Sequence, residues 1–237
     1  MLQRNRFIDA IALYPLELKP VVVLDFGGGD GELCLRLRSI LSKTKIMCYE
    51  PSQSMFSEAV EKIARKNVVL LNRIAEIETD SIDVVYCMEV LEHLPDQEVE
   101  KAINDIYSIM KLGGIAIVGV PNEIYLAALY KGLFRMRRRF GEFDASPLNI
   151  LKCVFGVPPP NRPLGEISPN IPYHFYHLGF DHRKLEKLLS RKFEVLLRKL
   201  SPFKFRGVWG CPEIYYMLRK AKPEMTLCNK NWSAKFA

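Results

Sequence analysis

The chain has 237 residues, of which 49% are hydrophobic and 26% charged, and this balance excludes a disordered or fibrous protein. The net charge of +7 is unevenly distributed, because residues 1–121 hold 13 Lys and Arg against 18 Asp and Glu, whereas residues 176–237 hold 14 against 5. A basic second half suits an anionic partner, and a solvated basic face explains it equally well.

Nothing in the sequence directs the chain into or across a membrane. No stretch reaches the roughly 18 consecutive apolar residues of a membrane-spanning helix, and the first ten residues lack the apolar run of a secretory signal. The six cysteines form no Cys-x-x-Cys pair that would hold zinc or act as a redox dithiol. We therefore expect a cytoplasmic protein with reduced thiols.

Short apolar runs alternate with helical periodicity through the first half of the chain. The pattern predicts strands at residues 21–26, 45–50, 68–71, 82–88 and 114–120. Before the last of them, Ile103, Ile106, Tyr107 and Met110 share one helix face, which is expected to end at Gly113-Gly114. Repeated β-α-β units of this length predict an α/β fold with a doubly wound, mostly parallel sheet.

The rhythm breaks at residues 122–175, which are rich in proline. Residues 124–140 predict a helix, apolar first and then strongly basic, and the remainder predicts a loop. We interpret 122–175 as a lid inserted over the acceptor site of a single domain spanning residues 1–237. A helix capped by Asp181 and strands at 193–200 and 213–220 complete a seven-stranded sheet, and residues 222–237 are predicted to be a flexible tail.

The strongest motif is Asp25-Phe26-Gly27-Gly28-Gly29-Asp30-Gly31, at the carboxyl end of the first strand. Glycines let the backbone approach a ligand closely, and doubly wound sheets bind ligands at this edge. A dinucleotide fingerprint would need Gly or Ala where Glu32 stands, and the acidic loop would repel a pyrophosphate. The pattern therefore favours a cationic ligand without phosphate and disfavours a nicotinamide-dependent dehydrogenase.

Together with Glu50 after the second strand, the segment Ile82–Leu94 and Leu112-Gly113-Gly114, this loop resembles the class I S-adenosylmethionine-dependent methyltransferases. The resemblance covers residues 20–121 and, more loosely, 176–220. It implies the Rossmann-like methyltransferase fold and S-adenosylmethionine as cofactor. The implied cofactor residues are those of the loop and three strand ends: Asp25, Gly27, Gly28, Gly29, Gly31, Glu50, Pro51, Cys87 and Met88.

The contacts expected for the ribose and for the adenine of the cofactor have different support. The resemblance gives Glu50 both ribose hydroxyls, and a carboxylate independently suits two O–H donors. Many members of the family place an acid after the third strand to hold the adenine amino group. The segment Asn72-Arg73-Ile74-Ala75-Glu76 has none at that position, so we expect the backbone of Ile74 and Ala75 to contact the adenine.

Glu89 and His93 follow the fourth strand and are predicted to be catalytic. Because the sulfonium of the cofactor is already activated, the enzyme mainly aligns the acceptor and removes a proton, a task that suits His93. The alternative is that Glu89 and His93 only orient their loop through hydrogen bonds.

A metal is the second alternative for this cluster. In family members that methylate polyprenyl catechols or the 2′-hydroxyl at small-RNA ends, a similar Glu-x-x-Glu-His binds Mg²⁺. Glu89, Glu92 and His93 match it here, and the candidate fourth ligands are His174, His177 and His182. The same Glu-x-x-Glu-His motif occurs in family members that bind no metal, and Mg²⁺ prefers oxygen ligands. The metal requirement therefore stays open.

Similarity to quinone-biosynthesis and polysaccharide-associated methyltransferases indicates a small-molecule or lipid-linked acceptor, methylated at oxygen. Residues 131–140 interleave basic and apolar side chains, which suits an anionic acceptor or peripheral contact with a membrane surface, or else a solvated helix face. Two other functions remain open. One is RNA 2′-O-methylation, supported by the basic second half although no RNA-binding module is recognisable, and the other is S-adenosylmethionine binding without catalysis.

Overall fold

The computed structural model describes residues 2–63, 66–202 and 207–221 of the chain. Its strands are β1 (Val22–Phe26), β2 (Lys45–Tyr49), β3 (Val68–Leu71), β4 (Ile82–Met88), β5 (Met110–Pro121), β6 (Gly165–Ser168), β7 (Ile171–Tyr173), β8 (Glu194–Ser201) and β9 (Glu213–Arg219). Its α-helices are α1 (Leu2–Ile11), α2 (Glu32–Ile40), α3 (Gln53–Ile63), α4 (Asp96–Ile109), α5 (Tyr125–Arg139), α6 (Pro147–Val154), α7 (His182–Lys192) and α8 (Gly207–Gly210).

Seven strands form one sheet in the order β3-β2-β1-β4-β5-β9-β8, and β6 and β7 form a separate hairpin. Strands β1 to β5 run parallel, whereas β9 is antiparallel to both β5 and β8. The central strands β1 and β4 are buried over almost their whole length, as expected for apolar strands covered on both faces. The predicted doubly wound, mostly parallel seven-stranded sheet is confirmed.

The core lies in two layers, one on each face of the sheet. On one face, side chains of α4 and α7 pack against the strands, including Ile106 and Leu189. On the other face, the layer comes from α1, α2 and α3, including Ala10, Leu37 and Ile63. This arrangement leaves the carboxyl ends of β1, β2 and β4 at a common edge, where a doubly wound sheet binds its ligand.

The end of α4 differs from the prediction. The helix ends at Ile109, and Met110 is the first residue of β5 rather than part of the helix face. Beyond it, the Gly113 amide donates to the Lys220 carbonyl and the Lys220 amide donates to the Gly114 carbonyl. This pairing with the chain that follows β9 draws the segment into the sheet, a long-range contact that the local pattern does not reveal.

The predicted loop after residue 140 is also wrong, because it contains α6 and the β6-β7 hairpin. Pro147 stands in the first turn of α6, where its missing N–H costs nothing, and Ile150 and Cys153 are buried on one face of the helix. Asn170 takes a left-handed φ of 63° in the hairpin turn. The prolines obscured both elements in the sequence.

Other predictions fall on different parts of the structure. Asp181 caps α7, its carboxylate accepting from the Arg183 amide, as predicted. The predicted tail at 222–237 lies outside the described residues. No helix in the described part of the chain combines the length and apolarity needed to cross a bilayer.

Candidate active site

The glycine loop between β1 and α2 is held against the end of β2. The amides of Gly27 and Gly28 both donate to the Tyr49 carbonyl, at 2.8 and 3.0 Å. Gly27 has a φ of 74°, a conformation that favours glycine, and a Cβ there would lie 2.5 Å from Cγ2 of Val90. A Cβ on Gly28 would lie 2.4 Å from the Cys48 sulfur. The loop therefore requires glycine for its own packing as well as for ligand approach.

Gly29 differs from its neighbours. Its φ is 55°, and the atom nearest to a Cβ there would be Cε of Met55 at 3.5 Å. A Cβ on Gly29 would therefore meet only the flexible end of Met55 at ordinary contact distance, so nothing rigid prevents a ligand from approaching the backbone here.

Glu50 lies directly after β2 and faces the loop. Its carboxylate accepts from the Gly29 amide at 2.9 Å and from the Ser52 amide at 2.8 Å. The residue is 7% exposed, and burial raises the pKa of its carboxyl although the two amides oppose this. Each oxygen accepts a single backbone donor and keeps a lone pair for a ligand hydroxyl.

A cavity of about 450 Å³ opens at this edge of the sheet, within the size range of small-molecule sites. Among the predicted cofactor and catalytic residues, those that line it are Asp25, Gly27, Gly28, Gly29, Glu50, Pro51, Met88 and Glu89. A second cavity of about 220 Å³ adjoins it beneath the hairpin and shares Gly27, Pro51 and Val90 with it.

Five predicted site residues do not line either cavity: Gly31, Ile74, Ala75, Cys87 and His93. Gly31 instead gives α2 room to pack on α3, since a Cβ there would lie 2.6 Å from Cδ1 of Ile63. Ile74 and Ala75 form a turn of 3-10 helix after β3, and Cys87 is fully buried within β4. The geometry therefore gives no support to the expected adenine contacts at Ile74 and Ala75.

Asp25 is an acid enclosed beneath the loop. It is 2% exposed, and its partner is the Cys34 thiol, whose sulfur lies 3.6 Å from the carboxylate. Burial raises the pKa of Asp25 to about 7, and the nearby charges of Glu50 and Asp30 act in the same direction while the thiol opposes them. A cationic ligand in the cavity would stabilise the ionised form.

Glu89 lines the cavity, and its carboxylate is held in an ion pair. Its carboxylate lies 2.9 Å from Arg6 of α1, and Arg6 also contacts Glu213 of β9 at 2.6 Å. Glu89 has a φ of 57°, an unusual conformation for a residue other than glycine. This pair connects the N-terminal helix to the carboxyl ends of β4 and the start of β9.

His93 lies one layer behind the cavity wall. Its ring stacks on Tyr173 with centroids 4.4 Å apart, and its Nδ1 is 2.7 Å from the His174 carbonyl. Its Nε2 is 3.1 Å from Nε2 of His177. Burial lowers the pKa of His93 to about 4 and that of His177 to about 3, so both rings are neutral at neutral pH. In this arrangement, Tyr173 separates His93 from the cavity.

Glu92 is fully buried beside His93, and neither carboxylate oxygen has a hydrogen-bond partner in the described residues. Burial raises its pKa to about 8. A buried carboxyl without partners is rare and calls for either a proton or a cation.

The metal alternative can be tested against this geometry. Glu92, His93 and His177 bring one ligand atom each within 4.8 Å of one another. Glu89 is paired with Arg6, Nδ1 of His174 contacts the Pro163 carbonyl, and His182 lies on α7 outside this group. One carboxylate and two imidazoles suit Zn²⁺, Mn²⁺ or Fe²⁺, whereas Mg²⁺ requires mostly oxygen ligands, so the residues do not fit Mg²⁺.

Several residues that enter the cavity come from distant elements and are not marked by any sequence motif. These are Arg6 and Phe7 of α1, Ile167 and Ile171 of the hairpin, and Tyr173. Their positions depend on contacts across most of the chain. A partial signal for α1 exists in the helical spacing of Phe7, Ala10 and Ile11.

The basic segment 131–140 is partly neutralised by buried acids. Lys131 and Arg135 both pair with Glu123, which is fully buried, and Arg135 and Arg139 pair with Asp144. Burial alone would raise the pKa of Glu123, but the two cations hold it well below its usual range. Lys131 and Arg135 are therefore neutralised by a buried acid. Only the exposed side chains of segment 131–140 are available to a partner molecule.

The strand order and the position of the glycine loop are those of the Rossmann-like methyltransferase fold, with the ligand edge at the carboxyl ends of β1, β2 and β4. Residues 23–114 match the sequence profile of the family described as a methyltransferase domain. Residues 23–114 therefore resemble the class I S-adenosylmethionine-dependent methyltransferases in sequence, and the chain shares the fold of solved methyltransferases.

A curated relative is 29% identical over 121 residues, 2-methyl-6-phytyl-1,4-hydroquinone methyltransferase 2, chloroplastic, from Oryza sativa subsp. japonica. The match covers 50% of this chain and spans only 33% of that protein.

Solved structures share the fold. The methyltransferase domain of bacterial-CtHen1-CN has a TM-score of 0.62 at 15% identity, covering 92% of this chain and 100% of that one. The N-methyltransferase NodS from Bradyrhizobium japonicum WM9, in complex with S-adenosyl-l-homocysteine, has a TM-score of 0.56 at 11% identity, covering 92% of this chain and 87% of that one. At these identities the likeness concerns the fold alone.

Proposed function

We propose that the protein transfers a methyl group from S-adenosylmethionine to a hydroxyl oxygen of a small, largely apolar acceptor, free or lipid-linked. The observation that carries the proposal is Glu50, whose carboxylate is fixed by the Gly29 and Ser52 amides at the wall of a cavity of about 450 Å³. A carboxylate held in this way accepts two ribose hydroxyls without reorganising.

The acceptor side of the cavity supports an apolar compound. Phe7, Ile167, Ile171 and Tyr173 contribute apolar and ring surface to the walls. The curated rice relative carries in its name a hydroquinone with a phytyl group, which is an aromatic ring with an apolar chain. An acceptor of that chemistry would match these walls.

The cofactor supplies a methyl group on a positively charged sulfur. The chain's part is to fix the ribose through Glu50, to leave room beside Gly29, and to align the acceptor oxygen with the methyl group. A C–O bond forms as the C–S bond breaks, the sulfur keeps the bonding electrons and leaves as S-adenosylhomocysteine, and the hydroxyl proton passes to a carboxylate of the cavity wall, a role that we assign to Glu89. Side chains of α1 and the β6-β7 hairpin line the cavity and limit the access of water to this step.

We further propose that residues 122–175 act as the lid over the acceptor, with the β6-β7 hairpin as the part nearest the cofactor. Ser168 of the hairpin lies 2.8 Å from Ser52, oxygen to oxygen, directly beside Glu50. The lid is therefore connected to the residues that follow β2. Removal of the hairpin would open both the acceptor side and the ribose side of the cavity.

A transfer assay with labelled S-adenosylmethionine tests the proposal. Three acceptors are compared: a prenylated hydroquinone, an unsubstituted catechol and a short single-stranded RNA. We expect the label in the prenylated hydroquinone. Label in the RNA alone would contradict the proposal and favour 2′-O-methylation. Cofactor binding without transfer to any acceptor, including fractionated cell extract, would favour the non-catalytic alternative.

The same assay tests His93. Its ring packs on Tyr173, which lines the cavity, so we expect His93→Ala to displace Tyr173 and to lower turnover with little change in cofactor affinity. The matched control is His182→Ala, which removes a buried imidazole outside the cluster. Full turnover in His93→Ala would contradict any role of this residue in the transfer step. Loss of turnover in EDTA, restored by Zn²⁺ or Mn²⁺, would assign the cluster to a metal.

A further inference from the structure

Helix α5 packs on α6 with small side chains, and both helices turn large apolar side chains outward. Ala127, Ala128 and Gly132 are buried on α5. A Cβ on Gly132 would lie 2.7 Å from Ile150 of α6, so the two helices approach as closely as glycine permits. This is the reverse of an ordinary surface helix, which directs its large apolar side chains to the core.

The outward side chains form what we call the α5-α6 face, defined by Leu126, Leu133 and Phe134 on α5 and by Leu148, Leu151 and Phe155 at α6. All are more than half exposed, with Phe134 at 62% and Phe155 at 74%. On α6 the spacing of three and then four residues keeps them on one side of the helix. Apolar side chains clustered in this way mark a surface that is covered by a partner.

Uncompensated cations accompany this face. Arg137, Arg138 and Lys152 are exposed and form no ion pair with any residue of the described ranges. The Arg138 guanidinium lies 5.5 Å from the centroid of the Phe134 ring. The exposed acid nearest in sequence, Glu142, is 3.8 Å from Arg139. The face therefore presents apolar side chains together with positive charge, unlike Lys131 and Arg135, which Glu123 neutralises.

An exposed indole stands at the other end of α5. Trp209 is 63% exposed, and its ring lies 4.3 Å from that of Tyr125, centroid to centroid. Tryptophan favours the boundary between water and a bilayer, because its ring is apolar and its N–H is polar. Both ends of α5 thus carry groups that suit a membrane interface.

We propose that the α5-α6 face docks on the surface of an anionic lipid bilayer. Leucine and phenylalanine side chains would enter the boundary between head groups and acyl chains, while Arg137, Arg138 and Lys152 contact anionic head groups. The free cations distinguish this partner from an apolar protein surface, which would leave them unpaired.

The position of the face connects docking with the site, a connection that rests on the proposed function. Helices α5 and α6 both belong to residues 122–175, the segment proposed as the lid, and the same segment contains the β6-β7 hairpin that lines the cavity. A bilayer docked on the α5-α6 face would therefore hold a lipid-linked acceptor close to the segment that covers the site. Docking itself requires no methyl transfer, so the two proposals fail separately.

Co-sedimentation with vesicles tests the docking proposal. Vesicles of phosphatidylcholine with about 30% phosphatidylglycerol are compared with pure phosphatidylcholine, at low and high salt. We expect binding to the anionic vesicles that falls at least fivefold in pure phosphatidylcholine and weakens with salt. Leu133→Gln with Phe134→Gln should reduce binding at least fivefold, and so should Arg137→Gln with Arg138→Gln.

The matched controls replace exposed leucines and exposed lysines that lie outside the α5-α6 face. Leu16→Gln with Leu18→Gln replaces two exposed leucines, and Lys184→Gln with Lys187→Gln removes two exposed charges from α7. Both controls should bind like the parent protein, and circular dichroism verifies that every variant folds. Equal binding to both vesicle types, or no effect of the face variants, would overturn the proposal. So would a dimer in solution that Leu133→Gln with Phe134→Gln dissociates, because the face would then be covered by a second copy.

Discussion

At the scale of single residues, Asp25 makes the stability of the cofactor-free protein depend on pH. Burial raises its pKa from 3.8 to about 7 on folding, so the folded state holds a proton that the unfolded state has lost between these values. The resulting stabilisation is complete below about pH 4 and is lost as the pH rises through about 7. Each unit of pKa shift corresponds to about 1.4 kcal/mol.

We therefore expect unfolding free energies, measured in urea, to fall between pH 5 and pH 8. Asp25→Asn should reduce that slope, because an amide does not titrate. Glu61→Gln serves as the control, since this carboxylate is exposed on α3, away from the loop. If Asp25→Asn retains the slope of the parent protein, the assignment to Asp25 is wrong.

The positions of site residues could be predicted from sequence where they depend on local geometry, and their roles stay predictions. The glycine loop and Glu50 follow directly after strands, so their position at the ligand edge follows from the strand pattern. Arg6 could not be predicted in this way, because its partner Glu213 is 207 positions away. Tyr173 likewise reaches the cavity only through the hairpin, which the proline-rich sequence concealed.

At the scale of elements, the Arg6 ion pairs hold α1 against the sheet. Arg6 lies between Glu89 and Glu213, and its side chain is 25% exposed. We expect Arg6→Met to lower the unfolding free energy by about 3 kcal/mol, the usual result of leaving buried charges unpaired. Adding Glu213→Gln should restore part of the loss, because one unpaired charge is then removed.

Arg36→Met is the matched control for Arg6. It also removes an arginine ion pair, with Glu32 on the surface of α2, and should cost less than about 1 kcal/mol. Urea denaturation measures all three variants. Equal losses for Arg6→Met and Arg36→Met would mean that α1 is not held by this network.

The elements themselves were predicted best where hydrophobic periodicity dominates. Every strand of the main sheet was located from its apolar run, and the parallel direction of β1 to β5 follows from the β-α-β repeat. The helix α6 and the β6-β7 hairpin were missed because their prolines stand at positions that tolerate them, the first turn of a helix and a two-stranded edge.

At the scale of the whole molecule, acidic and basic residues are concentrated in different parts of the chain. The cofactor loop lies in the acidic first 121 residues, which suits a cationic sulfonium, and the exposed cations of the α5-α6 face lie in the basic remainder. Sequence could indicate this division, but not that Glu123 neutralises Lys131 and Arg135. Only the folded structure distinguishes the cations that pair with buried acids from the exposed cations that form no ion pair with the described residues.

Titration calorimetry on the purified protein tests the central claim, that Glu50 and the glycine loop form an S-adenosylmethionine site. We expect S-adenosylmethionine and S-adenosylhomocysteine to bind and NAD not to bind. Glu50→Gln should weaken binding about 10- to 100-fold, the effect of losing hydrogen bonds to a charged group. Glu58→Gln, which alters an exposed carboxylate at the same cavity, should bind like the parent protein. Tight NAD binding without a response to S-adenosylmethionine, or unchanged affinity in Glu50→Gln, would contradict the account.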